Sequence, residues 1–295
     1  MAINIAEAFA HRKKRVLLID MDPQLHLTRF YGVIKPTDID GPPAAQSYLS
    51  IVNTLDTVIS YWEGKSPYKP SMTLNSLGVI KNNALGKTMW IDQFRFLPND
   101  DNFSKYAWQW SNINLAPKGK VNPEVGYHLL KFFIELYSSN PKDNPDYIII
   151  DAPPGINDWI VLNIINASDF VVLPVATGSF FDTEGMRVAI AMFENRKAVM
   201  RGDADYLVIP NNVKKRNRAH VANLGYLLQS KKLKPHLDPS LIVYERADIQ
   251  NANTDGTSIF EAGKNEKLMG HFIRISKEIE KRMKSNKIIT LKDKI

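Results

Sequence analysis

Short aliphatic runs, each closed by a carboxylate or a proline, alternate along the chain with segments whose apolar positions recur every three or four residues. Val16 to Ile19 has no polar alternation, so it predicts a strand buried on both faces, ending at Asp20. Ahead of it, Ala2 to Ala10 has helical composition, with Ile5, Ala6 and Phe9 apolar and a basic run Arg12 to Arg15 suited to a helix C-terminus. Gln93 to Leu97 predicts another strand, followed by the loop Pro98-Asn99-Asp100, and Glu124 to Tyr137 an amphipathic helix. Tyr147 to Ile150 is the most apolar strand and also ends in an aspartate, Asp151. Phe170 to Leu173 and Tyr206 to Ile209 repeat the pattern around a crossover helix at Gly185 to Arg196. Leu268 to Met283, with Phe272, Ile275, Ile279 and Met283 in one stripe, predicts a helix docked on the core.

Between about Tyr31 and Pro98 the pattern is broken by Pro, Gly and Ser, with helices expected at Ala45 to Trp62 and, further on, Asn102 to Trp110. The alternation of strand and helix predicts an α/β fold: a mostly parallel sheet with helices on both faces. One domain is expected over residues 1–295, with a variable region at about 31–146. In such sheets the chemistry lies beyond the carboxyl ends of the strands, where Asp20, Asp22 and Asp151 should emerge.

Composition removes several alternatives. The 295 residues, 44% hydrophobic, are enough for a full core, and no cysteine is present. Disulfides, thiolate zinc sites and iron–sulfur clusters are therefore excluded, and an intracellular setting fits best. His26, His128 and His271 lack metal-ligand spacing. No run approaches the roughly 20 apolar residues of a spanning helix. The net charge of +7 favours an anionic partner such as nucleic acid.

Two motifs carry chemistry. In LLIDMDPQ, Leu17 to Gln24, two aspartates two residues apart follow a buried strand, and a proline stops that strand. Both carboxylates can then reach a common site, one near a metal shell and one near an attacking water; a loop that merely solvates two acids has the same spacing. In YIIIDAPPG, Tyr147 to Gly155, four apolar residues deliver Asp151 to a tight turn. A hydrophobic strand ending in Asp is how P-loop ATPases hold magnesium, usually through water.

Taken in order, AINIAEAFA, KRVLLIDMDPQ, YIIIDAPPG and SDFVVLPV followed by Glu184-Gly185 resemble the ParA family of deviant Walker-type ATPases across nearly the whole chain. The resemblance implies a P-loop NTPase-like fold, ATP and Mg2+ as cofactors, and roles position by position. Asp22 would orient or activate the hydrolytic water, Asp20 would support the metal and switch region, and Asp151 would hold magnesium through its water shell. Pro174 and Val175 to Phe181 would close the site, and Asn211 would approach the adenine. The resemblance further implies a cytoplasmic, nucleoid-associated homodimer that binds nonspecific DNA for plasmid or chromosome partition, with a ParB-like centromere-binding protein as partner.

Three departures stand out. Family members carry KGGxGKTT directly ahead of the first helix, whereas this sequence opens with Met1 at that point. The expectation is that Met1 is an internal residue of a longer frame and that the polypeptide as it stands does not bind ATP tightly; loss of the loop, leaving a non-hydrolysing DNA-binding or adaptor protein on the same fold, is the alternative. The usual Gly-Asn after DPQ is replaced by Leu25-His26, and the usual Ile-Pro-Arg by Tyr244-Glu245-Arg246.

Basic clusters offer phosphate contacts: Lys214, Lys215, Arg216 and Arg218, then Lys231 and Lys232 with Lys234, then Lys281 to Lys287. Solvated helix ends would have the same composition. MinD-like relatives attach to membranes through an amphipathic tail, but Lys284 to Ile295 turns charged and strand-like (IITL), so no stable membrane association is expected.

Overall fold

The computed structural model describes residues 1–31, 50–62, 80–81, 94–100, 103, 105–106, 125–138, 144–154, 159–196, 205–263 and 265–292. They form two compact units, one comprising Ala2 and residues 6–167, the other Met1, Ile3–Ile5 and residues 168–295.

The first unit is organised by strand β1, Val16–Asp20, every residue of which is buried. It lies between β3, Phe94–Leu97, and β4, Tyr147–Asp151, parallel to both. A short strand β2, Ile80–Lys81, runs antiparallel to β3, giving the order β2-β3-β1-β4. Because side chains alternate across a strand, Leu17 and Ile19 face one side and Val16, Leu18 and Asp20 the other.

The Leu17 and Ile19 face meets a core supplied by helices α3, Ile51–Trp62, α4, Leu129–Ser138, and α5, Trp159–Ala167, including Leu55, Phe133, Tyr137 and Ile164. Elsewhere in the unit, Phe9 of helix α1, Ala2–His11, stacks on Tyr147 with ring centroids 4.2 Å apart. Tyr31, which follows helix α2, His26–Phe30, packs at 4.8 Å from Phe96. At the amino end of the pair β1 and β4, the Arg15 guanidinium and backbone N–H donate to the Asp146 carboxylate, each at 2.8 Å. The Arg15 hydrogen bonds hold that carboxyl below its ordinary range.

In the second unit β5, Phe170–Ala176, pairs in parallel with β6, Asp205–Asn211, across the crossover helix α6, Phe180–Arg196. Helix α7, Arg218–Gln229, begins at Asn217, whose side chain accepts the N–H groups of Ala219 and His220 as an N-cap. Two short helices, α8, Ala247–Thr254, and α9, Ile259–Ala262, lead to the long α10, Glu266–Lys292, which packs on β6. Phe272, Ile275 and Ile279 of the predicted stripe are buried, as is Leu268, while Met283 is half-buried.

The α/β class and the parallel pairings match the sequence reading; β2 with β3 is the antiparallel exception among the described residues. Several boundaries differ. Asp20 and Asp151 close the ladder itself, paired with one another, because a buried edge keeps its backbone groups hydrogen-bonded for one residue more. The segment Glu124 to Tyr137 opens with a 3-10 turn, Val125–His128, before α4 begins. The expected strand-like tail is helical to Lys292, since extending an established helix adds a hydrogen bond per residue and outweighs the weak β preference of Ile288, Ile289 and Thr290. Of the two helices expected in the variable region, residues 45–49 and most of 102–110 lie outside the described residues.

Phe133 is fully buried in the first core, so Phe133→Ala should cost about 3–5 kcal/mol. Urea denaturation checks this: a lower midpoint at an unchanged m-value is the expected outcome.

Candidate functional site

Two carboxylates meet where β1 and β4 end. Asp20 and Asp151 are register partners in the parallel pair, so their side chains leave the same face of the sheet. The Met21 N–H continues the ladder by donating to the Asp151 carbonyl at 3.1 Å.

Asp20 is wholly buried, and both its oxygens are engaged. Oδ1 accepts the Asp22 N–H at 3.0 Å, while Oδ2 accepts the Thr28 N–H at 2.9 Å and the Thr28 hydroxyl at 2.7 Å. Its carboxylate thus folds residues 21–28 back over the strand end. Asp22, 6% exposed, sits inside that turn. Its Oδ1 accepts the Gln24 N–H at 2.9 Å, and Oδ2 lies 3.5 Å from Nδ1 of the exposed His26.

Leu25 occupies the left-handed region with φ 58°. This explains why a glycine would suit the position: a side chain there costs on the order of 1 kcal/mol. Leu25 is 2% exposed, and burying such a side chain returns about 2 kcal/mol, more than offsetting the strain.

Thr28 and Asn99 are functional-site residues that the motif reading did not single out. The Asn99 N–H donates to the Thr28 hydroxyl at 2.9 Å, and the Asn99 amide donates to the Asp22 carbonyl at 3.2 Å. Asn99 Oδ1 in turn accepts the Asp100 N–H at 2.8 Å, and Asp100 is hydrogen-bonded to the Ser50 hydroxyl. A buried polar relay therefore runs from the end of β3 to the turn after β1. The signal available in the sequence was Asn99-Asp100 directly behind a strand and its proline.

Burial raises the pKa of Asp20, against the opposing hydrogen bonds from Thr28 and Asp22. Burial likewise pushes Asp151 up to about 6, with the nearby Asp20 and Asp22 charges adding to the effect. The Asp151 carboxylate makes no side-chain hydrogen bond among the described residues, in contrast to Asp20. Hard oxygen donors with surplus negative charge fit a magnesium ion. Among the described residues no three His, Asp or Glu side chains are arranged to hold a metal directly. Asp151 is the side chain with oxygens free for such an ion; Asp20 has the role of fixing the turn.

The other expected site residues belong to the second unit. Pro174 pairs with Ile209 and Ala176 with Asn211, so both expected nucleotide contacts stand toward the carboxyl ends of β5 and β6. The Thr177 hydroxyl lies 2.9 Å from His220 Nδ1 on α7. Within the first basic cluster, Lys214 pairs with Glu245 at 3.1 Å and Lys215 stands 4.3 Å over the Tyr244 ring. The residues that depart from Ile-Pro-Arg are thus the partners of two lysines. Arg216, Arg218, Lys231 and Lys232 are exposed and have no acidic partner among the described residues. Among those residues no helix is long and apolar enough to cross a membrane.

Residues 1–205 match the family model AAA_31, described as an AAA domain. The chain belongs to this AAA domain family, within the ParA/MinD superfamily of ATPases. Among curated relatives, the sporulation initiation inhibitor protein Soj of Bacillus subtilis is 27% identical over 185 residues, 63% of this chain. A chloroplastic septum site-determining protein minD homolog of Arabidopsis thaliana is 30% identical over 69 residues, 22% of this chain. The chain spans 55% and 21% of the length of these two relatives.

Solved structures share the fold. Apo McdA of Cyanothece superposes with a TM-score of 0.63 at 17% identity, covering 94% of this chain and 92% of that one. A plasmid partition protein of Borrelia burgdorferi bound to AMPPNP does so with a TM-score of 0.61 at 18% identity, covering 96% and 91%. The fold expected from the sequence, and the superfamily, are borne out.

The Asp151 pKa has a testable consequence. With a folded value of about 6 against an ordinary 3.8, the native state keeps a proton that the unfolded chain has released across that window. Stability therefore falls as pH rises through it and is lowest above it. Asp151→Asn should remove this slope and stabilise the protein at pH 7 by about 1–2 kcal/mol, allowing for solvent screening, with little effect near pH 3.5. Thermal unfolding of both proteins across that range measures the difference.

Proposed function

We propose that the chain is the ParA-type domain of an ATP-dependent DNA partition factor. The observation that carries this reading is the meeting of Asp20 and Asp151 at the carboxyl ends of adjacent parallel strands, with Asp22 in the turn that follows β1. Repulsion among these acids is what a divalent cation relieves, and the triphosphate chain of ATP brings such a cation with it. Support comes also from the relatives: the Borrelia partition protein is bound to AMPPNP, and McdA(D38A) and a Mycobacterium smegmatis cobyrinic acid a,c-diamide synthase are bound to ATP and to an ATP analog with magnesium respectively.

In this reading Asp151 holds hydrated Mg2+, which when bound would neutralise charge building on the phosphates. Asp22 orients the attacking water and accepts its proton at Oδ2, the oxygen not committed to Gln24. Asp20, through Thr28, keeps the Asp22 turn in place. Pro174 with the residues after it, and Asn211, are the nucleotide contacts proposed for the second unit. The chain forms a single ParA-type domain that dimerises around nucleotide, meets a ParB-like centromere-binding protein, and works in the cytoplasm on the nucleoid.

Nonspecific duplex DNA is held by Lys214, Lys215, Arg216, Arg218, Lys231 and Lys232. Of these, Arg216 and Arg218 give the cleanest test, because the two lysines of that cluster already have partners. Each phosphate contact contributes about 0.9 to the slope of log affinity against log salt. The double variant Arg216→Ala with Arg218→Ala should therefore lower that slope by about 2 on random duplex DNA, measured by fluorescence anisotropy. An unchanged slope would exclude these two residues, and a flat response of the parent chain would exclude the whole basic surface.

A further inference from the structure

Three of the four large hydrophobic residues that are exposed among the described residues, Val221, Tyr226 and Leu228, lie on one helix, α7. Tyr226 is 60% exposed and Val221 51%. From Ala219 to Gln229 that helix carries no Asp, Glu, Lys or Arg, which is unusual for a helix with one face in solvent.

The exposed face has relief as well as apolarity. Val221 and Leu228, seven residues apart, form one ridge, and Tyr226 stands on the other side. Between them lie Ala222 and Gly225. A Cβ placed at Gly225 would meet nothing within 4 Å, so the floor is open. A shallow channel between side-chain ridges is the surface into which the ridge of another helix packs.

Charge closes the channel at both ends. Arg218 stands at the start of α7, and Lys231 and Lys232 follow its end, all exposed and without acidic partners among the described residues. At 1.5 Å per residue, the two groups are about 20 Å apart. Pairing of this face with the same face of a second copy is disfavoured in either orientation, because Arg218, Lys231 and Lys232 would always meet cations of the partner. Duplex DNA finds no cation between Ala219 and Gln229, so its phosphates are met only at the two ends of the helix. A lipid surface prefers bulky side chains where this helix has Ala222 and Gly225.

We propose that the exposed face of α7 docks a helix of a partner protein, with apolar residues at i, i+3 or i+4 and i+7 along its centre and Asp or Glu at both ends. The occupant is recognised by apolar packing in the channel and by acids paired with Arg218 and with Lys231 and Lys232. This goes beyond the reading of those cations as DNA contacts, since phosphates leave the strip between them uncovered.

The test uses the full chain and three synthetic four-turn helical peptides: a leucine spine with glutamate ends, the same spine with lysine ends, and a serine spine with glutamate ends. Labelled peptides are titrated by fluorescence anisotropy. The glutamate-ended leucine peptide should bind at least tenfold more tightly than either control. Gly225→Leu should abolish that binding without lowering the melting temperature, as leucine is the better helix former and the site has room. The paired reversal Arg218→Glu with Lys232→Glu should transfer the preference to the lysine-ended peptide.

Equal binding of all three peptides, or binding indifferent to Gly225→Leu, would overturn the proposal. So would concentration-dependent dimers that Gly225→Leu dissolves, or phosphatidylglycerol vesicles that capture the parent chain and bind Gly225→Leu more tightly still. Affinity of Gly225→Leu for random duplex DNA reports separately on the partition reading and should match the parent.

Discussion

Two carboxylates side by side, one on the buried strand β1 and one on the half-buried β4, are costly, and the first unit is arranged around that cost. Asp20 and Asp151 are forced together by the register of β1 and β4, which the hydrophobic identity of those strands fixes. A one-residue slip would turn each acid onto the opposite face and expose the apolar residues beside it. The Arg15 and Asp146 clamp at the other end of the pair favours the same register.

The two acids meet the cost in different ways. Asp20 is compensated by three hydrogen bonds, which turn it into the anchor of the following loop. Asp151 is not compensated in that manner and remains poised for a cation. Thr28, Asn99 and Asp100 extend the arrangement to β3, so the turn carrying Asp22 is held from two strands at once. The buried Leu25 at positive φ shows that this turn keeps its shape even where the residue type opposes it.

Much of this was legible in the sequence. Uninterrupted aliphatic runs gave the strands, and an acid after each of two of them marked the carboxyl edge where chemistry belongs. Resemblance at LLIDMDPQ and YIIIDAPPG then pointed to the superfamily, which the AAA domain match bears out. What could not be read was anything dependent on long-range hydrogen bonding. Thr28 and Asn99 are 71 positions apart, and no local pattern marks them as partners. The partners of Lys214 and Lys215 were hidden for the same reason: they come from a loop that pairs with the chain just past β6, through the bridge between Val213 and Tyr244. The tail was misread because IITL has strand-like composition, while the helix before it was already formed.

Carboxyl carbon NMR of Asp20, Asp22 and Asp151, followed through a pH titration with and without magnesium, tests the central claim most directly. Asp151 should titrate with a midpoint of about 6 that falls when magnesium is present. An Asp151 that titrates like an ordinary exposed aspartate and does not respond to magnesium would contradict it.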